Sequence, residues 1–244
     1  MPPIERLEWD SAFFGVPIGR VSLSGASAKQ VADAVNWADC VGLECLYWLI
    51  DGYDLTSLEA AETCGFHLVD IRVTFELPLS SRGQSDHPGA KLVRSLQPGD
   101  LLDLLTLARE SHRQSRFFYD GHFSESKCAE MYEEWIKKAM NGPPYTILVA
   151  EHEDQPAGYC VCHQTTEGIG EIGLLAVAPN YHRRHIGTAL VSAALDYFAV
   201  KGMSTSTVVT QGRNIAAQRL YQSCGFVTKS MNLWYHRWKQ RLKN

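Results

Sequence analysis

The sequence predicts an α/β protein with a mixed sheet, and three observations lead to this prediction. In the second half of the chain, segments with apolar residues at helical spacing alternate with short Val-, Ile- and Thr-rich runs typical of strands. A polar stretch over residues 79–91 separates this half from a shorter first piece. The two pieces share a sequence pattern at a constant offset of 160 residues. Helices and strands that alternate in this way form a layered α/β architecture.

The polar stretch predicts a linker between two domains. Residues 79–91 (LSSRGQSDHPGAK) are rich in Ser and Gly and contain Pro88, a composition typical of interdomain segments. We therefore predict one domain over 1–78 and a second over 92–244.

A duplicated unit is predicted from the comparison of these two domains. Cys224-Gly225-Phe226 lies 160 residues after Cys64-Gly65-Phe66, and the same offset aligns further identities without a gap. These are Ala194 with Ala34, Gly202 with Gly42 and Gly212 with Gly52. Both copies predict a helix, a Gly turn, an apolar strand, a polar loop, a short helix, Gly-Phe and a strand. The identities fall at turn and packing positions, which favours duplication over chance.

The second domain begins with two predicted helices. Apolar residues recur at helical spacing from Leu101 to Ala108, which predicts a helix over 98–111. Another helix is predicted over 124–140, with Ser124 or Ser126 as its N-cap. Two prolines at 143 and 144 end it.

The rest of the second domain alternates between strands and helices. The predicted order is strands over 145–151, 157–164 and 168–177, a helix over 186–200, a strand over 205–210, a helix over 215–223 and a strand over 226–238. Gly225 follows the last helix, where a left-handed glycine commonly ends one.

Composition excludes several classes of partner. The 244 residues are 45% hydrophobic and 20% charged, with a formal net charge of −4. A mildly acidic chain has no general attraction for nucleic acid or anionic lipid, so neither partner is expected. No apolar run approaches the ~20 residues that a membrane span needs. The first ten residues lack the basic start and apolar middle of a signal peptide, which predicts a cytoplasmic location.

The seven cysteines predict neither a disulfide framework nor a metal site. Their number is odd and their spacing shows no paired ligand set, which fits a reducing compartment. Cys160 and Cys162 lie on the same face of a predicted strand, where packing in the core is the expected role.

The stretch that is most informative about function is LLAVAPNYHRRHIGTAL, residues 174–190. An apolar strand ends in a turn and a basic loop, and a helix begins at Ile186-Gly187. This geometry directs backbone N–H groups and a helix N-terminus at one spot, which is typical of an anion site. Arg183 and Arg184 add positive charge, so the sequence predicts that a phosphorylated ligand binds here.

These motifs resemble the GNAT superfamily of acetyl-CoA-dependent N-acetyltransferases over residues 91–244. The family's acyl-CoA motif has the pattern Gln/Arg-x-x-Gly-x-Gly/Ala, and His182, His185 and Gly187 occupy its three positions. The last glycine is kept, whereas the first two positions differ. The β-carbon of His185 is expected to narrow the loop and constrain its backbone.

The resemblance implies a GNAT fold preceded by a partial, degenerate GNAT-like domain. It also implies acetyl-CoA as the co-substrate, with no metal. The expected contacts with acetyl-CoA are Leu175, Ala176, Val177, His182, Arg183, Arg184, His185, Ile186, Gly187, Thr188 and Asn214.

A second signature, NIAAQRLYQSCGF over residues 214–226, is similar to the family's Asn-x-x-Ala-x-x-x-Tyr-x-x-x-Gly-Phe. The resemblance implies that Asn214 contacts CoA and that Tyr221 donates a proton to the departing thiolate. A half-buried helix aromatic is the alternative for Tyr221. In the first domain Ala61 occupies the equivalent position and no phosphate loop is evident, so that domain is predicted to lack the catalytic parts.

The reaction requires a neutral amine, so a base or a chain of water must accept its proton. Glu171 is the candidate, because some GNAT enzymes place a catalytic glutamate at the matching part of the central strand. A solvated or salt-bridged strand residue is the alternative. A backbone N–H near Val177 is expected to stabilise the oxyanion. The family implies direct transfer in a ternary complex.

Two further motifs resemble the TDP-fucosamine acetyltransferase subfamily, which acetylates the 4-amino group of a nucleotide-linked dideoxy sugar. They are LEWDSAFFGVPIGR over residues 7–20, and Ser115-Arg116-Phe117 together with Trp135-Ile136. In GNAT proteins the loop between the first two helices covers the acceptor, and here it carries Arg116, Phe117, Phe118 and Tyr119. Arg116 is expected to bind a diphosphate and the aromatic residues to stack on a sugar or base. Sealing the interface with the first domain is the alternative.

The sequence therefore predicts a cytoplasmic acetyl-CoA-dependent N-acetyltransferase that acts on a small amine such as a TDP-linked 4-amino-4,6-dideoxy sugar. A protein N-terminus or a lysine is the alternative acceptor. A non-catalytic CoA-binding or interaction module is the alternative from another class; the two loop histidines favour it, and Asn214 and Tyr221 oppose it. The oligomeric state stays open, with a homodimer as one option.

Overall fold

The computed structural model of the chain describes residues 3–80 and 92–239. Most of the predicted linker, residues 81–91, lies outside the described residues. The first part contains β1 (Ile4–Arg6), α1 (Glu8–Phe14), β2 (Ile18–Val21), α2 (Ala28–Cys40), β3 (Cys45–Asp51), α3 (Leu55–Thr63) and β4 (His67–Pro78). The second part contains β5 (Val93–Ser95), α4 (Leu101–Glu110), α5 (Arg116–Asp120), α6 (Glu125–Ala139), β6 (Tyr145–His152), β7 (Gln155–Gln164), β8 (Ile169–Val177), α7 (Ile186–Val200), β9 (Thr205–Gln211), α8 (Ile215–Ser223) and β10 (Val227–Trp238).

The predicted mixed α/β architecture is confirmed, and the two helices that frame the motifs have the predicted bounds. α7 covers 186–200 and α8 covers 215–223. Ser124 is the N-cap of α6, since its side chain accepts the N–H of Lys127. The prediction did not include α1, β1, β2, β5 or α5, which are short elements without a clear periodicity.

All ten strands of the described residues form one sheet, in the order β1-β2-β3-β10-β4-β9-β8-β7-β6-β5. The pairs β2/β3 and β8/β9 are parallel, and the other pairs are antiparallel. The C-terminal strand β10 therefore lies between β3 and β4 of the first part.

The duplicated unit is confirmed by the bounds of its elements. β3, α3 and β4 begin and end 160 residues before β9, α8 and β10, respectively. Asp54 and Asn214 cap the two equivalent helices, each accepting the backbone N–H of the residue three positions later. A short polar side chain thus caps the equivalent helix in both copies.

The two copies exchange their last strands. β10 of the second copy pairs with β3 of the first, and β4 of the first copy pairs with β9 of the second. Equivalent backbone bonds join them, from the N–H of Gly52 to the carbonyl of Met231 and from the N–H of Gly212 to the carbonyl of Ile71. The inner strands of each copy therefore pair with a strand of the other copy. The division into domains over 1–78 and 92–244 stays a prediction. In the structure, strands of both parts belong to one continuous sheet.

Helices cover both faces of the sheet. On one face α4, α5 and α6 pack on alternate residues of β6 and β7, such as Val149 and Tyr159. On the other face α7 and α8 pack on the intervening residues, which include Cys160 and Cys162. Both cysteines are fully buried, so the expected packing role is confirmed. α2 and α3 cover the first part on the same side as α7 and α8.

The strands β8 and β9 separate halfway along their length. Their parallel pairing joins Ile169–Val177 to Thr205–Gln211 only as far as Ile172 and Val208. In the ladder with β7, Ile172 and Leu174 pair with successive residues, so Gly173 is the extra residue of a β-bulge. A bulge bends its strand, and the gap between β8 and β9 begins at this one.

Candidate active site

A cavity of about 1190 Å³ occupies the gap between β8 and β9 and extends towards the first copy. Its walls come from both copies of the repeat. One end is bordered by Leu175, Ala176, Val177, His182, Arg183, His185, Ile186, Gly187, Thr188, Asn214 and Tyr221. The other end is bordered by Trp9, Asp10, Arg20, Asp70, Arg72, His112, Arg116, Phe117, Trp135 and Trp234.

The open edge of β8 forms one wall of the cavity. Leu175, Ala176 and Val177 pair with β7 on one side, whereas the pairing with β9 ends at Ile172. Backbone polar groups on the unpaired edge need partners from elsewhere. The edge can therefore receive hydrogen bonds from, and donate them to, an extended ligand in the gap.

The N-terminus of α7 faces the same part of the cavity. Ile186, Gly187 and Thr188 are its first residues and all three line the cavity. The first N–H groups of a helix lack partners within the helix and carry partial positive charge, so they favour an anion. His185 precedes them as the N-cap without a side-chain cap bond.

The loop before α7 contains two left-handed residues. Arg183 has φ 60° and His185 has φ 59°, in the region that glycine adopts without strain. The family motif has glycine at the position of His185, and the left-handed backbone explains that preference. Histidine can adopt this backbone conformation at a cost of about 1 kcal/mol relative to glycine. The β-carbon of His185 therefore constrains the backbone of this turn, as the sequence predicted.

The basic residues of the loop divide between the cavity and its surroundings. Arg183 lines the cavity, while the guanidinium of Arg184 lies over the ring of Tyr181 at 5.7 Å and is not among the lining groups. His182 Nε2 is 2.9 Å from the carbonyl oxygen of Val177. Its side chain thus fixes the loop to the end of β8, a structural role that the motif comparison missed.

Tyr221 lies on α8 with its ring against two phenylalanines. The ring centroids of Phe75 and Phe226 are 6.1 Å and 6.0 Å away, and Tyr221 also lines the cavity. Burial raises the pKa of its hydroxyl well above the ordinary value, so the group carries its proton at neutral pH. The side chain is 5% exposed, so Tyr221 is more buried than the half-buried helix aromatic of the alternative, and it also has a place on the cavity wall.

Asn214 has a structural task besides its place on the cavity wall. Its Oδ1 accepts the backbone N–H of Ala217 at 3.2 Å and caps α8. Gly187 is constrained by packing, because a β-carbon there would lie 3.1 Å from Leu220 Cδ2. The helices α7 and α8 therefore approach closely at the cavity, and a larger residue at position 187 would require Leu220 to shift.

Glu171 lies outside the cavity. Its carboxylate is 3.0 Å from His163 Nδ1 on the neighbouring strand, and the part of β8 that lines the cavity begins at the bulge residue Gly173. The side chain has the salt-bridged position that the sequence left open as the alternative. The geometry does not bring it together with Tyr221.

Asp70 is a carboxylate on the cavity wall that the sequence analysis missed. It lies on β4 of the first copy, and only 4% of its surface is exposed. Burial raises its pKa to about 6, although Arg213 at 3.8 Å and the N–H of Ile71 at 2.9 Å stabilise the ionised form. No motif marks it, and it lies in the copy that was predicted to lack catalytic parts.

Arg116 lies at the opposite end of the cavity among aromatic rings. Its guanidinium is 4.2 Å from the ring centres of Tyr47 and Phe117 and 4.1 Å from that of Trp234. Nη1 is 2.6 Å from His236 Nε2. Burial lowers the pKa of Arg116, but arginine stays charged in proteins.

The other residues of the predicted acceptor loop differ in position. Phe117 lines the cavity and also packs on Phe14 of the first copy, with ring centres 5.5 Å apart. Phe118 stacks on Tyr132, and Tyr119 lies under the guanidinium of Arg213 at 3.9 Å. Neither Phe118 nor Tyr119 is a lining residue. The loop therefore combines a cavity wall with the seal to the first copy.

In the first copy, the position equivalent to the predicted anion site is filled by the chain itself. The N–H groups of Gly25 and Ala26 donate to Asp54 Oδ2 at 2.7 Å and Ser57 Oγ at 3.0 Å. Ser27 then begins α2 with a capping box. With these donors satisfied locally, the start of α2 has little to offer an anion.

No helix of the described ranges 3–80 and 92–239 is long and apolar enough to cross a membrane. Within the same ranges no group of three or more His, Cys, Asp or Glu side chains is arranged to hold a metal ion.

Comparisons with known proteins agree with this geometry. A sequence profile of the acetyltransferase (GNAT) family matches residues 104–226. The dTDP-fucosamine acetyltransferase of Escherichia coli is 28% identical over 236 residues, which cover 96% of this chain and 97% of that protein.

Two further relatives cover different shares of the chain. The spore coat polysaccharide biosynthesis protein SpsD of Bacillus subtilis is 30% identical over 147 residues, which are 58% of this chain. The match covers 49% of SpsD, so the chain spans about half the length of that relative. The crystal structure of a GCN5-related N-acetyltransferase from Sphaerobacter thermophilus superposes with a TM-score of 0.69 at 14% identity. It covers 96% of this chain and 76% of the other, which shows a shared fold.

Proposed function

Since the chain belongs to the acetyltransferase (GNAT) family, we propose that it transfers the acetyl group of acetyl-CoA to the amine of a nucleotide-linked 4-amino-4,6-dideoxy sugar. One observation carries the proposal. A single cavity joins the open edge of β8 and the start of α7 to an end that holds Asp70 and Arg116. Donor and acceptor can therefore meet next to Tyr221.

The residues of the β8 edge and the α7 N-terminus fit the donor. Its pyrophosphate needs N–H groups and positive charge, which Ile186, Gly187 and Arg183 offer together. Its extended pantetheine arm needs backbone partners, which Leu175–Val177 offer along the open strand edge. Bound acetyl-CoA supplies an activated thioester. A backbone N–H of this edge would stabilise the oxyanion, a contribution of about 3 kcal/mol in known cases.

Tyr221 is proposed as the acid that protonates the departing thiolate. Its raised pKa keeps the proton on the hydroxyl, and a thiolate with a pKa near 8.5 accepts a proton more readily than water does. The described lining residues include no cysteine. Direct transfer to the amine is accordingly proposed, without an acyl-enzyme.

Asp70 is proposed as the group that accepts the proton of the attacking amine, in place of Glu171. A base works best when its pKa is near the working pH, and burial brings the pKa of Asp70 to about 6. Glu171 pairs with His163 outside the cavity. The proton reaches Asp70 directly or through one water molecule.

The acceptor end supports a ligand with an anionic part and flat rings. Arg72 and Arg116 bring positive charge to it, beside Arg20, which pairs with Glu5 at 2.8 Å, and Trp9 and Trp234 bring two aromatic faces. A diphosphate next to a base and a sugar has this combination of groups. The name of the Escherichia coli relative, dTDP-fucosamine acetyltransferase, points to the same class of acceptor.

The proposal is tested by thiol release from acetyl-CoA with a panel of amines. The panel contains the TDP-linked 4-amino-4,6-dideoxy sugar, the same sugar without its nucleotide, a peptide with a free N-terminus and a lysine peptide. We expect turnover of the TDP-linked sugar with the highest kcat/KM. A preference for either peptide would refute the small-molecule acceptor, and binding of acetyl-CoA without turnover of any amine would favour a non-catalytic module.

A further inference from the structure

A buried polar chain lies behind Arg116, on the side away from the cavity. His236 of β10 accepts a hydrogen bond from the guanidinium of Arg116 through Nε2 at 2.6 Å. Its Nδ1 contacts Asp120 at the end of α5. Trp238 Nε1 donates to the same carboxylate at 3.0 Å and 3.1 Å. The side chains of His236 and Asp120 are 1% and 2% exposed. Neither His236 nor Asp120 lines the cavity.

The proton positions in this chain follow from the types of group. A guanidinium has only N–H donors, so His236 Nε2 must accept and carries no proton. A neutral imidazole with a bare Nε2 has its proton on Nδ1, and that proton faces the carboxylate of Asp120. Burial of the ring lowers the pKa of His236 to about 4, so the ring is neutral at pH 7. Arg116 and Asp120 therefore favour the same tautomer of His236, one from each side of the ring.

This tautomer directs Arg116. The rings of Tyr47, Phe117 and Trp234 surround the guanidinium, with their centres 4.1–4.2 Å from Cζ, but these contacts leave the rotation of the group open. The hydrogen bond to His236 fixes that rotation. The N–H groups on the cavity side then have one orientation.

We propose that His236 and Asp120 are a positioning pair for acceptor recognition. Asp120 holds His236 in the Nδ1–H form, and His236 aims the N–H groups of Arg116 at an anionic group of the acceptor. The inference rests on the proposed function, because it takes Arg116 as an acceptor contact. Neither residue of the pair touches the reacting atoms.

The first test is Asp120→Asn, which keeps the size of the side chain. The amide NH₂ of the new side chain can donate to His236 Nδ1 and favour the tautomer with a proton on Nε2. That proton would face a guanidinium N–H, so the bond to Arg116 is lost. Losing a hydrogen bond to a charged group changes a binding constant roughly 10- to 100-fold. We expect the KM for the acceptor to rise by this factor, with the KM for acetyl-CoA and kcat within about twofold of the original values.

His122→Gln is the matched control. His122 Nδ1 contacts the same carboxylate at 2.6 Å from the exposed side, and its removal leaves the tautomer of His236 unchanged. This variant should keep the acceptor KM within about twofold. Nitrogen-15 NMR of the histidine rings gives an independent readout, with a proton on Nδ1 of His236 in the original protein and on Nε2 in Asp120→Asn.

A rescue experiment separates positioning from general damage. Glutamine at position 236 offers a carbonyl oxygen near the place of Nε2 and needs no tautomer selection. His236→Gln should therefore tolerate Asp120→Asn, and the double variant should regain most of the acceptor affinity. His236→Asn, whose amide is too short to reach Arg116, should raise the acceptor KM alone. These two variants also test the pair if Asp120→Asn alone fails to fold.

Three outcomes would overturn the inference. They are an unchanged acceptor KM in Asp120→Asn, an equal rise of both KM values, or a proton on Nε2 of His236 in the original protein. Arg116→Gln distinguishes this failure from that of the proposed function. If Arg116→Gln leaves the acceptor KM unchanged, the acceptor contact itself is wrong. If it raises that KM and Asp120→Asn does not, only the positioning pair is wrong.

Discussion

Replacing Asp70 with Asn should make the protein more stable and much less active. The pKa of Asp70 is raised from its ordinary value of 3.8 to about 6, because burial disfavours the ionised carboxylate more than Arg213 and the N–H of Ile71 favour it. Each unit of pKa corresponds to about 1.4 kcal/mol between the two protonation states. The ionised side chain therefore destabilises the folded protein by about 3 kcal/mol at pH 7. Asn resembles the neutral acid and removes this effect.

The gain in stability should depend on pH with a defined sign. Because folding raises the pKa of Asp70, the folded protein holds more protons than the unfolded chain between about pH 4 and pH 6. The contribution of Asp70 to stability therefore falls as pH rises through this interval. Asp70→Asn should be more stable by about 3 kcal/mol near pH 7.5 and by about 1 kcal/mol near pH 4.5. For a chain of this length the larger value corresponds to a rise in Tm of about 6–12 °C.

The activity of the same variant should move in the opposite direction. Removal of a general base lowers kcat by roughly 100-fold or more. The profile of kcat against pH should show an ionisation near pH 6 in the original protein, with activity present above it, and the variant should lack this feature. Thermal melts at both pH values and steady-state kinetics across pH measure these quantities. A variant with lower stability near pH 7.5 and normal kcat would refute the reasoning on both counts.

Four further outcomes are expected from other parts of the structure. Tyr221→Phe should lower kcat by roughly 100-fold with acetyl-CoA affinity kept, since only the acid is removed; normal kcat in thiol-release assays would exclude that role. His185→Gly should relieve the left-handed turn at φ 59° and raise the free energy of unfolding by at most about 1 kcal/mol, measured by chemical denaturation; a loss of stability would show that the imidazole makes stabilising contacts in the folded protein. Glu171→Gln should keep kcat within about twofold, because its ion pair with His163 lies outside the cavity; a large loss would restore Glu171 as the base. Two half-genes divided within 81–91 should yield chains that co-purify when co-expressed, since β10 lies between β3 and β4; separate folded halves by gel filtration would contradict the strand exchange.

Local signals in the sequence predicted much of the second copy. The bounds of α7 and α8 follow from apolar spacing and from the residues at their ends, which act within a few positions of the chain. The offset of 160 residues predicted the same elements in the first copy, and the structure has them there. The cavity lining also includes the loop and the two motif residues Asn214 and Tyr221 that the family resemblance indicated.

Other features depend on contacts between residues that are far apart in the chain. Asp70 is buried where β4 pairs with β10, opposite Trp234 and more than a hundred residues away in the chain, so no local pattern marks it as a base. The bulge at Gly173 separates Glu171 from the cavity, although both lie on the strand that the sequence predicted. The hydrogen-bonded series Arg116, His236 and Asp120 joins α5 to β10, which lie far apart in the sequence and meet only in the folded protein.

The sequence by itself determined the family resemblance, the repeat, the helices at the anion site and the type of reaction that they indicate. These rest on spacing and caps, whose energies arise within one turn or one loop. Tertiary structure decided which carboxylate faces the cavity, how the two copies share one sheet and which residues of the predicted acceptor loop line the cavity. Burial and strand pairing are set by distant parts of the chain, and the properties that depend on them follow only when those parts meet.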